Sequence, residues 1–414
     1  MRLLHTSDWH IGRTLHDKRR HDEHAAFLAW LRDLIEFRKV ELLLVCGDIF
    51  DTITPGNRQL ELYYSFLRSV SDTECRHVVI IGGNHDSPSL LDAPREILQT
   101  MGVHVVGNAP KDEAEAVLLL RDRKGDPEAI VCAVPFLRDR DVRISEEREH
   151  SRDKATRLAA GVATYYERVG VRARELKNEI ESTSGVVVPI VVTGHLFTTG
   201  GKVTEDDGVR DLYVGTSAEI PATIFEEYAD YIALGHLHVP QRVANLETIR
   251  YSGSPIPMGF KEATHQKQVV LVTSNDEELF LQIDAVPVPE FQKLQRISGS
   301  LDEIESALQD LVQQDVSVWV EVEYDGTLSP TQLREQLDAQ IEGSSVEILK
   351  LGNTRMMDRM LQRQGWEQTL DDLDEREVFA RRLAVEDIDE QECTQLTQLY
   401  ESILYDLHEE VDQE

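Results

Sequence analysis

The chain has 414 residues, which is more than one ordinary hydrophobic core accommodates, so two or three domains are expected. Its formal net charge of −33 repels nucleic acid at long range and argues against a free-standing DNA-binding module. No apolar run approaches the roughly 18 residues of a membrane span, and the start MRLLHTSDWH is too polar for a signal peptide. Four scattered cysteines without a CxxC pair predict buried thiols in a reducing cytoplasm.

Five short apolar segments in the first part of the chain predict buried strands, and each ends in a polar cluster. They are RLLHTSD, VELLLVCGDIFD, RHVVIIGGNHD, VVVPIVVTGHL and YIALGHLHV. Their Val, Ile and Leu content is typical of strands that are covered on both faces in an α/β fold, with helices such as HAAFLAWLRDLIEF between them. Because functional groups gather where the carboxyl ends of such strands meet loops, we expect the five clusters to converge on one edge.

The stretch from Arg138 to about Ser184 is highly charged and predicts a helical insertion. It lies between the third and fourth polar clusters and adds no group to them. We therefore expect a solvated helical excursion or a dimer surface there, rather than a catalytic element.

The pattern changes after residue 284. SLDEIESALQDLVQQ and SPTQLREQLDAQIEG each start with a serine that precedes Glu or Gln by three positions, the spacing of a capping box. VSVWVEVEYD alternates with period two, as a half-exposed strand does. We predict a large domain over residues 1–284 and a small α/β capping domain over 285–368.

The last segment, residues 369–414, predicts a strongly acidic helical tail. From Asp371 onwards it has 16 acidic and 3 basic residues. An apolar stripe with helical spacing consists of Leu396, Leu399, Tyr400, Ile403, Leu404 and Leu407. Such a helix more often packs on its own protein than in the groove of a partner, and both interpretations stay open here.

Seven side chains that can bind metal follow the five predicted strands. They are Asp8, His10, Asp48, Asn84, His195, His236 and His238. Residues two apart at a strand end point to the same side. The pair Asp8 and His10 can therefore bind one ion together, and so can the pair His236 and His238. Glycines before several of these residues let the backbone approach an ion closely.

Taken singly, each of these groups is more often structural, since a GD pair is commonly a turn. Seven of them together predict a metal centre. Oxygen and imidazole ligands without thiolate favour Mn²⁺, Fe²⁺ or Zn²⁺ over a closed structural zinc site. The number suits two ions about 3.5–4 Å apart that share one carboxylate and promote displacement at a phosphoester.

The series DWH, GDIFD, GNHD, GH and GHLH resembles the calcineurin-like metallophosphoesterase superfamily over roughly the first 260 residues. HTSDWHIG, GNHDS, YIALGHLHVPQ, YSGSPIP and EVFARRLA are similar to a bacterial branch of nuclease subunits, which is related to the double-strand-break repair nuclease. That resemblance runs nearly from end to end. It implies an α/β fold, namely a β-sandwich flanked by helices, with a small α/β cap and a helical tail that binds a partner.

The resemblance also implies which residues bind each ion. One ion is assigned to Asp8, His10, Asp48 and His238, and the second to Asp48, Asn84, His195 and His236, with manganese as the usual metal. His85 is expected to stabilise the transition state and to protonate the leaving group, with the carboxylate of Asp51 orienting it. Asp86 is expected to hold its loop through backbone amides.

The implied activity is manganese-dependent DNA cleavage, both exonucleolytic and endonucleolytic, at double-strand ends and hairpins during DNA repair. The implied assembly is a homodimer within a heterotetramer that contains a coiled-coil ATPase. A local basic patch, made of Arg13, Lys18, Arg19 and Arg20, either contacts DNA phosphates or is simply a solvated helix start.

Two other functions remain open. The first is a phosphatase or cyclic-nucleotide phosphodiesterase, although GGNHD lacks the arginine that protein phosphatases have in RGNHE. The second is a binding platform without catalysis, which the complete ligand set disfavours.

Overall fold

The computed structural model describes residues 1–142, 151–198, 220–226, 228–274, 281–353 and 400. Its strands are β1 (Arg2–Thr6), β2 (Thr14–Leu15), β3 (Lys18–Arg19), β4 (Leu42–Cys46), β5 (His77–Ile81), β6 (Val103–Val106), β7 (Val117–Arg121), β8 (Pro127–Cys132), β9 (Ile190–His195), β10 (Tyr231–Gly235), β11 (Gln241–Arg242), β12 (Ile249–Tyr251), β13 (Gln268–Ser274), β14 (Leu281–Pro287), β15 (Lys293–Gly299), β16 (Val318–Tyr324) and β17 (Val346–Asn353). Its α-helices are α1 (His21–Arg38), α2 (Asn57–Val70), α3 (Pro88–Asp92), α4 (Arg95–Gln99), α5 (Asp139–Val142), α6 (Ser151–Ser184), α7 (Thr223–Glu226), α8 (Leu301–Gln313) and α9 (Pro330–Ile341). Two 3₁₀ helices span Glu113–Ala116 and Glu262–Thr264.

Two six-stranded sheets form the body of the large domain. The first has the order β14-β13-β1-β4-β5-β6, with β1, β4, β5 and β6 parallel. The second has the order β11-β12-β10-β9-β8-β7, with β8, β9, β10 and β12 parallel. In each sheet the predicted apolar strands occupy the interior positions, because both of their faces are buried.

The two sheets pack face to face through one apolar layer, which includes Leu44, Val79, Val131, Val191 and Ala233. Helices α1 and α2 cover the outer face of the first sheet, and α6 and α7 cover that of the second. The expected β-sandwich flanked by helices is confirmed.

Helix α6 corrects the expectation of a solvated excursion. The predicted helix is present, but one side of it is buried against the second sheet through residues that include Val162, Tyr166, Val169 and Ala173. These apolar residues recur at helical spacing within a charged sequence, and their burial makes α6 part of the core. Residues 143–150 and the side chains of 151–155 lie outside the described part of the chain.

The small domain is a three-stranded parallel sheet, β15-β16-β17, with α8 and α9 packed on one face. Both predicted capping boxes are confirmed, at Ser300 with Glu303 and at Ser329 with Gln332. The other face contacts the large domain through Leu294 and Trp319, which pack against Leu15 and Phe260.

An ion pair between Lys18 and Glu347 adds a polar contact between the two domains. Apart from Tyr400, the predicted tail from 369 to 414 lies outside the described residues. The boundaries at 284 and 368 stay predictions. Among the helices that are described, none has the length and apolarity to cross a membrane.

Candidate metal centre

The seven predicted ligands lie together where two sheets meet, rather than along the edge of one sheet. Asp8, His10, Asp48 and Asn84 follow strands of the first sheet, whereas the three histidines His195, His236 and His238 come from the ends of β9 and β10 in the second. Except for Asn84, which is half-buried, every one of them is buried. The parallel strands of both sheets therefore aim their carboxyl ends at one shared centre.

The backbone reaches this centre by left-handed turns. Strand β1 ends at Thr6, and the φ angles of Asp8, His10 and Asp48 are 54°, 46° and 51°. The expectation that strand alternation aligns Asp8 with His10 is therefore wrong, although both side chains reach the same cluster. Such φ angles are unfavourable for residues with a Cβ. They are held here by two backbone hydrogen bonds, from the amide of Asp8 to Gly47 O and from the amide of His10 to Asp48 O, each 3.0 Å long.

The first group of ligand atoms comprises those of Asp8, His10 and His238, which all lie within 4.8 Å of one another. His10 Nε2 is 3.2 Å from His238 Nε2 and 3.5 Å from Asp48 Oδ2. The main-chain amide of His236 donates to Asp8 Oδ1 at 2.9 Å, which links the two sheets at this point.

The second group surrounds the amide oxygen of Asn84. Asn84 Oδ1 is 2.9 Å from His195 Nε2 and 3.1 Å from His236 Nδ1. His195 Nε2 is also 3.3 Å from Asp48 Oδ2. Asp48 Oδ2 thus lies next to a histidine of each group, which is the position that a bridging ligand requires.

The chemistry of these donors fits divalent cations. His195 Nδ1 donates to the carbonyl of Cys46 at 2.9 Å, so in the neutral ring Nε2 carries a lone pair that faces the acceptor oxygens of Asn84 and Asp48. Lone pairs that converge in this way repel one another unless a cation or a proton lies between them. Burial by itself lowers the pKa of His195, but the facing Asp48 carboxylate raises it to about 9.

His85 lies beside the ligands, and Asp51 contacts it in an unexpected way. His85 Nδ1 lies 3.0 Å from the backbone carbonyl of Asp51, not from its carboxylate. The carboxylate is instead 3.3 Å from His10 Nδ1 and 3.1 Å from Arg13 Nη1. The expected carboxylate contact is therefore wrong, because the side chain of Asp51 turns toward His10 and leaves its main-chain oxygen to orient His85.

Asp86 holds the loop as predicted. Its carboxylate accepts hydrogen bonds from the amides of Ile49, Phe50 and Gly83, at 3.1, 3.0 and 2.9 Å. The amide of His85 in turn donates to Asp48 Oδ1 at 2.9 Å. Asn84, His85 and Asp86 thus have three different sets of contacts.

One of the four residues in the basic patch predicted near the first ligands is not on the surface. Arg20 is buried, paired with Glu23 and bonded to the carbonyl of Pro257, so it cannot contact DNA phosphates. Arg13 pairs with Asp51. Lys18 pairs with the small domain.

Sequence reasoning missed two charged residues behind His238. Glu262 Oε1 lies 3.3 Å from His238 Nδ1, and Lys267 Nζ lies 2.5 Å from Glu262 Oε2. Both residues are buried. They lie in GFKEATHQK, where neither periodicity nor a motif marks them, so no local signal could have identified them.

A sandwich with this set of ligands is the fold and site of a calcineurin-like phosphoesterase, and a family model of that description matches residues 1–240. A second model, described as the type 5 capsule protein repressor C-terminal domain, matches residues 290–387. The chain is 36% identical to the SbcD component of the SbcCD nuclease of Escherichia coli K12, over 98% of both chains. The corresponding SbcCD component of Rhodobacter capsulatus is 34% identical over 66% of both chains. The chain therefore belongs to the SbcD family.

Solved structures give a weaker comparison. A dimetal phosphatase from Danio rerio has a TM-score of 0.38 and 11% identity, covering 70% of this chain and 97% of its own. A Thermus thermophilus structure has a TM-score of 0.36 and 13% identity, covering 69% and 98%. At these values the structural matches add nothing to the assignment.

Proposed function

We propose that this chain is a divalent-metal-dependent phosphodiesterase that cleaves DNA, acting as the nuclease subunit of an SbcCD-type complex. The observation that carries this proposal is that the seven predicted ligand side chains lie together beside His85, four from the first sheet and three from the second. The similarity to SbcCD nuclease subunits over nearly the whole chain supports DNA as the substrate.

The first ion would be held by the group around Asp8 and His10, and the second by the group around Asn84, with Asp48 shared. When bound, two such ions supply Lewis acidity and neutralise the charge that develops on phosphoryl oxygens. We propose Mn²⁺ as the ion, since the donors are carboxylate, amide and imidazole without thiolate.

His85 acts on the substrate rather than on an ion. The carbonyl of Asp51 accepts a hydrogen bond from Nδ1–H and fixes the direction of the ring, so Nε2 is the nitrogen left to meet the substrate. In the imidazolium form, the Nε2 proton can be transferred to the departing sugar oxygen, while the Nδ1 proton stays on the ring and remains hydrogen-bonded to the Asp51 carbonyl. Asp86 holds the loop that carries His85, so the position of His85 also depends on Asp86.

The strong acidity of the chain has a consequence for its partners. A protein with a formal charge of −33 attracts DNA poorly at long range, so another subunit must supply much of the affinity. We propose an SbcC-type coiled-coil ATPase for this role, bound through the helical tail, with two nuclease subunits in a heterotetramer. Double-strand ends and hairpins are the proposed substrates.

A nuclease assay tests this function most directly. Duplex DNA with blocked ends, and a hairpin, would be incubated with and without the SbcC-type partner in Mn²⁺, Mg²⁺, Zn²⁺ or chelator. We expect cleavage to be strongest with Mn²⁺ and the partner, and to be lost with chelator. Efficient hydrolysis of a phosphomonoester or a cyclic nucleotide, without DNA cleavage, would instead establish the phosphatase alternative.

Truncation tests the proposed partner contact. Deletion from Thr369 should leave weak metal-dependent cleavage intact, because the ligands precede this point, but abolish co-elution with the SbcC-type partner. Normal co-elution of the truncated chain would show that the tail packs on its own protein.

A further inference from the structure

A buried ion pair lies directly behind the metal ligand His238. Glu262 and Lys267 are 1% and 5% exposed, and they contact each other at 2.5 Å. Burying two charges costs free energy that a pair of apolar residues of similar volume would avoid. A contribution to stability alone is therefore a poor explanation for this pair.

The side chains of the pair contact His238 and the loop around it. Glu262 Oε1 lies 3.3 Å from His238 Nδ1, while Glu262 Oε2 accepts from Met258 N at 3.0 Å. Lys267 Nζ donates to the carbonyl of His238 at 2.9 Å and to Ser254 Oγ at 2.9 Å. Lys267 thus binds the main chain of His238 and the carboxylate of Glu262 at the same time.

These contacts determine which nitrogen of His238 can bind an ion. Nε2 faces the centre, 3.2 Å from His10 Nε2, and it can offer a lone pair only if the ring proton is on Nδ1. The carboxylate of Glu262 accepts a hydrogen bond from Nδ1–H and so fixes both the tautomer and the direction of the ring. Lys267 keeps the carboxylate in place.

We propose that Glu262, held by Lys267, is a positioning residue that orients His238 and sets the affinity of the first ion. This inference rests on the proposed two-ion function. The two groups of ligands differ in this respect, because His195 in the second group donates to a neutral backbone carbonyl at the equivalent nitrogen. A carboxylate raises the basicity of the imidazole that it contacts more than a carbonyl does, so loss of Glu262 should weaken the first ion and not the second.

The test measures Mn²⁺ binding by calorimetry to chelator-treated protein, together with thermal unfolding of the metal-free protein. Glu262→Gln should weaken one of the two ions by about 10- to 100-fold and leave the other near its native affinity. The matched control is Glu321→Gln, which removes another buried carboxylate, paired with Arg296 and Lys350 in the small domain. That control should change neither affinity.

A second variant separates positioning from internal charge balance. Glu262→Gln combined with Lys267→Met removes both charges, so the interior stays neutral and we expect the variant to fold even if Glu262→Gln alone does not. We expect the first ion to remain weakened in it, since no carboxylate stands behind His238. Native affinity in the double variant, or in a folded Glu262→Gln protein, overturns the inference.

Failure of the inference is distinguishable from failure of the proposed function. If the unmodified chain binds two ions and cleaves DNA while both Glu262 variants bind them normally, only the role of Glu262 is lost. If the unmodified chain binds no pair of ions, the two-ion function itself is wrong.

Discussion

The two sheets contribute different chemistry to the metal centre. The first sheet supplies all of the candidate oxygen ligands, from Asp8, Asp48 and Asn84, together with one imidazole. The second sheet supplies only imidazoles. The carboxylates are close together and buried, and burial raises the pKa of Asp8. Burial by itself would also raise the pKa of Asp48, but the facing His195 and His10 hold it well below its usual range.

This difference shows how the two sides of the centre depend on the ions. The oxygen side concentrates negative charge in a buried place, so it needs cations for its electrostatic balance. The imidazole side contains no carboxylate ligand, and its contribution depends on the groups behind each ring, such as the Cys46 carbonyl and Glu262. The oxygen side should therefore determine whether ions bind at all, and the imidazole side how tightly they bind.

The largest effect should come from the shared carboxylate. We expect Asp48→Ala to abolish binding of both ions and to lower DNA cleavage by about three decades or more, since the two ions supply several kcal/mol of transition-state stabilisation. Calorimetry with Mn²⁺ and a cleavage assay would measure this. Asp92→Ala, which removes a half-buried carboxylate bonded to the Gly107 amide, is the control. One tightly bound ion with near-normal cleavage would refute the bridging position of Asp48.

The next effect distinguishes the role of Asn84, a candidate ligand of the oxygen side, from that of its neighbour His85. His85→Gln should keep both ions near native occupancy and bind DNA, while cleavage falls by about two to four decades, because a positioned proton donor is lost. Asn84→Ala should instead lose the second ion first and recover part of its activity in excess Mn²⁺. Metal occupancy and single-turnover cleavage distinguish the two variants. Full activity in His85→Gln, or loss of an ion in it, would contradict this division of roles.

A smaller effect is expected at Asp51, whose carboxylate supports a histidine of the first sheet. Asp51→Asn should weaken the first ion about tenfold, since the carboxylate lies beside His10 Nδ1, and should leave the function of His85 intact, because the main-chain carbonyl remains. At saturating Mn²⁺ the variant should cleave DNA nearly as fast as the unmodified chain. A loss of cleavage like that of His85→Gln, even at saturating metal, would show that the carboxylate itself acts on His85.

The smallest effect concerns the pH dependence of the free energy of unfolding, through the buried His24. His24 contacts the carbonyls of Trp9 and Arg20, and burial, aided by the Arg20 guanidinium, lowers its pKa from 6.5 to about 4. Between these values the unfolded chain binds more protons than the folded one, so the free energy of unfolding falls as the pH falls from 6.5 toward 4. At pH 5 the loss from this group is about 2 kcal/mol.

Denaturant unfolding of chelator-treated protein at pH 7, 6 and 5 measures this slope. His24→Gln should lose less stability over this range than the unmodified chain. His265→Gln, a substitution of an exposed histidine, should keep the original slope. Equal slopes in all three proteins would show that His24 does not titrate in this window.

The convergence of the seven candidate ligands could be predicted from the sequence because each one lies at the end of a short apolar strand or within a few residues of it. Asp86 was predictable for the same reason, since its partners are amides of nearby turns. Asp51 and Glu262 were not, because their contacts with His10 and His238 depend on how distant loops pack. Helix α6 was misjudged because its many charged residues concealed an apolar stripe that only the second sheet explains.

The position of β1 in the first sheet has a consequence for the order of folding during synthesis. β1 pairs with β4 on one side and with β13 on the other, and β13 is made near the end of the large domain. Asp8 and His10 leave the ribosome first, yet their partners His236 and His238 emerge only shortly before β13. The candidate site is therefore complete only after almost the entire large domain has been translated, so in the proposed function metal binding is one of the last events in its maturation.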